Sequence, residues 1–144
     1  MKSQMICVVA SAPAPAEEWR RIVAATGASP ISVALGERPA PTTTTQACEV
    51  GAWVVVLDTR QTPMKQGFWL RTLSAPIILV TPHLIAAQAL ASLVPDLRVI
   101  CPPLRAAAHM SDLLAVALAS TGGTLVVPND LIQRPRLALA GGYA

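Results

Sequence analysis

The chain reads as an α/β protein in three layers, a five-stranded parallel sheet with helices on both faces. Three observations predict this. Five short apolar runs, at 5–9, 31–35, 53–57, 76–80 and 97–101, recur along the 144 residues. Each is apolar nearly throughout, the pattern of a strand covered on both faces, and not the alternation of a strand wetted on one. Helix-compatible segments separate most of the runs, as the crossovers between parallel strands require.

The elements follow in order. Met5 to Val9 is the first strand, and a Pro-flanked start leads into EEWRRIVAATG, where Trp19, Ile22, Val23 and Thr26 share one helical face. Glu17 and Glu18 are expected in the first turn, beside the positive end of the helix dipole, with Gly27 as the stop. Ile31 to Leu35 is the second strand; GERPAPTTTTQACEVG, with two prolines and four consecutive threonines, is expected to be a loop with at most a short helix. Trp53 to Leu57 is the third strand, followed by a loop and a helix over about 65–73 with Trp69, Leu70 and Leu73 inward. Pro76 to Val80 and Leu97 to Cys101 are the fourth and fifth strands. The intervening HLIAAQALASLV and the later RAAAHMSDLLAVALAS read as single helices, the second burying Met110, Leu113, Leu114, Ala117 and Leu118.

Composition narrows the function classes. Hydrophobic residues make up 53% of the chain and charged ones 13%, enough to fill one core. No apolar run approaches the roughly 18 residues of a membrane span. The five-residue run near the N-terminus is shorter than the ~7–15 residues of a signal-peptide core, so a cytoplasmic protein is expected. Cys7, Cys48 and Cys101 lack metal-ligand spacing, and Cys7 and Cys101 sit in apolar runs as core residues would. His83 and His109 have no partner at ligand spacing. The net charge of +3 is spread over scattered arginines, with no stripe that would bind nucleic acid.

In parallel α/β sheets, ligands and chemistry gather at the C-terminal ends of the strands. That places Ala10, Ser11, Asp58, Thr81 and Pro102 on one rim. Around them, VVVLDTRQTPMKQGFWLRTL resembles the third strand, phosphoacceptor and following helix of two-component receiver domains; PIILVTP resembles their fourth strand and ICPPL their fifth. The resemblance covers residues 5 to about 120 and implies a CheY- or flavodoxin-like fold with strand order 2-1-3-4-5. It puts Asp58 at the phosphoacceptor and Thr81 at the switch hydroxyl. Ala10 and Ser11 stand where the metal-binding acids belong, Pro102 where a lysine belongs, and Val99 at the aromatic switch position. Phosphoryl transfer depends on a metal and a cation to neutralise the moving oxygens. Losing one such electrostatic donor costs about 3–4 kcal/mol of transition-state stabilisation. The expectation is a pseudo-receiver: no phosphorylation of Asp58 by the usual Mg²⁺ route, no cofactor, no metal, and no enzyme, since neither Ser11 nor Thr81 is expected to have a neighbouring base.

DLLAVALASTGGTLVVPNDLIQRP resembles the end of the receiver and the linker in NarL/FixJ-type response regulators. The expected division is therefore a receiver-like domain at 1–121 and a linker or tail at 122–144. The implied function is a phosphorylation-independent regulatory module acting through protein partners, within an atypical transcriptional regulator. A homodimer is expected through the face of the fourth helix, fifth strand and fifth helix, with Leu84, Leu90, Val99, Met110 and Leu113 as candidate contacts and no direct nucleic-acid or membrane binding. Two alternatives stay open: a receiver still phosphorylated on Asp58, and a flavodoxin-like domain that binds a small molecule.

Overall fold

The computed structural model describes residues 5–34, 51–57, 70–71, 73, 75–119 and 122–128. One parallel sheet runs through them, ordered β2-β1-β3-β4-β5-β6. Its strands are β1 (Met5–Ala10), β2 (Ser29–Ala34), β3 (Ala52–Val56), β4 (Ile77–Val80), β5 (Leu97–Cys101) and β6 (Leu125–Val126). The first five take the expected order. The sixth corrects the expected five-stranded sheet: part of the segment read as linker pairs with β5, Val99 against Leu125 and Ile100 against Val126. The expected boundary at 121 thus falls before the last strand of the sheet.

Every residue of β3 and β4 is buried, and so is β1 after Met5. Alternate side chains serve opposite layers. Ile6, Val8, Val54 and Ile78 point to one, which α1 (Pro13–Ala24) closes with Ala16, Trp19 and Val23. α3 (Pro103–Ala108) and α4 (Met110–Ala119) complete that layer through Ala106, Met110, Leu113, Leu114 and Ala117. Cys7, Val9, Trp53, Val55 and Leu79 point to the other, met by Leu70 and by Ala87 and Leu90. Ala87 lies in α2 (Leu84–Gln88) and Leu90 in the 3₁₀ turn that follows it, Ala89–Ser92. The aromatics among the described residues are thereby divided, with Trp19 in the first layer and Trp53 in the second, each 7% exposed.

β5 holds an irregularity that decides which way its side chains face. Ile77 pairs with Leu97 but Ile78 pairs with Val99, so Arg98 is an extra residue in the strand. Such a bulge reverses the alternation beyond it. Val99 and Cys101 consequently join the α1/α4 layer while Leu97 and Ile100 join the α2 layer. The Arg98 guanidinium lies 3.5 Å from Asp96.

Helix boundaries depart from expectation where prolines open them. α1 begins at Pro13 and α3 at Pro103, both earlier than expected. A proline in the first turn gives up only an N–H that has no helical partner there. The early start moves Glu17 out of the first turn of α1, and its carboxylate receives Arg20 Nε at 3.0 Å, with Arg21 at 3.7 Å. Gly27 takes φ of 96° and ends the helix as anticipated. The helix expected over 105–120 divides at His109, whose φ of −128° and ψ of 30° interrupt it. The segment expected as one helix after His83 tightens from α2 into the 3₁₀ turn. Leu118, expected inside, is 40% exposed. The helix expected over 65–73 falls largely outside the described residues, though Leu70 is buried as expected.

Cutting the central sheet should matter far more than cutting the surface. Ile78→Ala, at a site with no exposure, is expected to lower unfolding stability by about 2–5 kcal/mol in urea titration. Ile85→Ala, where the side chain is 86% exposed, should change it by no more than about 0.5 kcal/mol. Equal losses would contradict the layer assignment.

Candidate functional site at the C-terminal edge of the sheet

Four strand ends define the rim. β1 delivers Ala10, 1% exposed, and then half-buried Ser11. The β1–α1 connection runs straight into Pro13 and Pro15, so two positions of the first helical turn carry no N–H that could meet an anion. β3 delivers Leu57, buried, whose N–H bonds Val80 O at 2.9 Å. Asp58, the next residue, lies outside the described residues.

β4 delivers Thr81, the one buried polar or charged residue among those described. Its N–H donates to Cys101 O at 3.0 Å, tying β4 to β5 at the rim. Its hydroxyl oxygen accepts the N–H of His83 at 3.1 Å. This is the short Ser/Thr turn that opens a loop after a strand. One of the two lone pairs of the Thr81 hydroxyl is therefore taken by local backbone. His83 stands two residues from Thr81, nearer than the sequence reading allowed, and it is the backbone amide that meets the hydroxyl oxygen. The ring's Nε2 is enclosed without a hydrogen-bond partner.

β5 delivers Cys101 and Pro102, both buried. Pro102 is the residue before α3, with φ of −69° and ψ of 154°, held extended by Pro103 behind it. Burial pushes the Cys101 thiol up to about 12, and the positive charge of Arg105 opposes that only in part. Arg105 is a cation at this end of β5 that the strand pattern did not single out. Its signal was only its place three residues after Pro102, and its Nε is closed off from solvent without a hydrogen-bond partner. Among the described residues no cluster of three His, Cys, Asp or Glu side chains could hold a metal ion.

Four of the five expected contact residues lie in the core, where the helical period already puts Met110 and Leu113. Leu90, Val99, Met110 and Leu113 are core residues, between 0% and 5% exposed, because their apolar faces cover the sheet. Leu84 is half-buried. The exposed large apolar side chains of the same elements are Ile85, Leu93, Leu104, Val116 and Leu118. Beside them a groove of about 740 Å³ runs between α2 and the end of β6, lined by Pro82, His83, Leu84, Ile85, Val126 and Pro128 among others.

Two outcomes follow from this geometry. Thr81→Val keeps the shape but strips the acceptor from the His83 amide, and is expected to cost about 1–3 kcal/mol in thermal or urea unfolding, with Thr81→Ser milder. Cys101 holds its proton more tightly folded than unfolded, so its contribution is complete below its ordinary value of 9.0 and is lost as pH climbs toward about 12. Unfolding measured from pH 8 to 11 should show an alkaline loss of stability that Cys101→Ala lessens.

Compared with protein-family models, with curated proteins and with solved structures, the chain matches none.

Proposed function

We propose that this chain is a receiver-like regulatory module that works without phosphorylation, by presenting a surface to protein partners, a second copy of itself first among them. The single observation carrying the reading is the chemistry of the rim. Alanine ends β1, proline follows β5, and the only described buried hydroxyl there already accepts a backbone amide. A phosphoryl group in transfer needs positive charge and a metal arranged around it. A rim built from Ala10, Ser11, Thr81 and Pro102 offers neither in the positions that the receiver resemblance assigns.

Partner recognition would then fall to the face flanking β5. Ile85 and Leu93 on one side, and Leu104, Val116 and Leu118 on the other, supply the exposed apolar area that marks interfaces more than monomer surfaces. β6 stands at the sheet edge between these helices, so the surface includes it. A second reading, small-molecule binding, is favoured only by the apolar groove beside α2; a compound that copurifies and protects Ile85 from labelling would support it.

Incubation with Mg²⁺ and a small acyl phosphate, read by intact mass, should leave the chain unmodified. An adduct that Asp58→Ala abolishes would overturn the proposal. Light scattering of the purified chain should show a dimer, weakened at least about fivefold by Ile85→Glu or Leu118→Glu.

A further inference from the structure

β6 is bounded by backbone chemistry on both sides. Gly123 takes φ of 79°, a left-handed conformation that turns the chain into the strand. Pro128 has no N–H, so the ladder cannot continue past Val127. Between them the strand is held by few bonds. Val127 N–H donates to Ile100 O at 2.8 Å and the Thr124 hydroxyl donates to Leu97 O at 2.6 Å, around a ladder of two pairs. Leu125 and Val126 remain half-buried, whereas Leu97, Val99 and Ile100 are fully buried. Leu125 and Val127 pack into the α1/α4 layer and Val126 into the α2 layer, so this one short segment closes both layers at the β5 edge.

We infer that residues 124–127 form a clasp, opening as a unit while the other five strands stay paired and baring the edge of β5. A segment with few hydrogen bonds and partly exposed side chains opens locally at lower free energy than the strands inside the sheet. Closed, the clasp replaces the five-residue edge of β5 with a two-residue edge, a recognised way to blunt a sheet against unwanted pairing. The inference shares β6 with the face proposed above but does not depend on that face having a partner, since it concerns only how the sheet ends.

The chain carries its own probes. Cys101, at the end of β5, shares its layer with Leu125 and Val127; Cys7 lies in β1, between β2 and β3. In a Cys48→Ser background, thiol labelling with iodoacetamide at pH 8, located by peptide mass, compares the two sites. Cys101 should label at least roughly tenfold faster than Cys7, at a rate unchanged by low urea. Thr124→Val should raise the Cys101 rate about fivefold, the worth of one ordinary hydrogen bond, leave Cys7 alone, and be rescued by Thr124→Ser. Equal rates at the two thiols, a Thr124→Val effect shared by both, or none at Cys101, would each overturn the clasp. Should Thr124→Val not fold, the comparison of the two thiols in the Cys48→Ser chain still decides.

Discussion

Burial of the sheet on both faces is the constraint from which the remaining features follow. β1, β3 and β4 each have a strand on either side and a layer of side chains above and below, so nothing polar can be placed along them without losing water on every side. Their residues are accordingly valine, isoleucine, leucine and a few small or aromatic apolar types, and their backbone groups bond one another. Polar chemistry is pushed to the strand ends, where the Thr81 hydroxyl oxygen accepts the His83 amide. What this protein can do chemically is decided at those ends and on the outer surfaces of the helices.

The same constraint explains what could be read from the sequence. A strand covered on both sides leaves a continuous apolar run, and five such runs were visible. β6 left no such run, because Leu125 and Val126 are cut short by Gly123 and Pro128. Pro13 and Pro103 lay just ahead of the helices expected from the sequence, although a first-turn proline sacrifices no helical bond and both open their helices. Met110 and Leu113 were legible as inward from helical period, whereas Leu90 and Val99 were recognisable as apolar without their side being fixed. Val99 adds a further difficulty, because the bulge at Arg98 exchanges faces in a strand whose residues are apolar on both. At the rim, strand-end addresses were legible for Ala10, Thr81 and Pro102, whereas the closeness of Arg105 to Cys101 depends on where α3 starts.

Among the described residues, the ion pairs are all local in sequence. Glu17 engages Arg20 and Arg21 along one side of α1, and Asp96 engages Arg98 at the foot of β5. Solvent-exposed ion pairs contribute little to stability, so these hold the fold far less than the buried layers do. Stability rests on the two apolar layers.

The placement of two of the chain's three indoles gives the sheet a practical consequence. Trp19 and Trp53 lie on opposite sides of a single β-layer, in comparable seclusion from solvent. Each is an intrinsic fluorophore embedded in a separate half of the interior. Chains in which Trp69 is also replaced, leaving Trp19 or Trp53 as the single emission source, would let refolding of the two halves be timed independently, revealing whether they condense together or in succession.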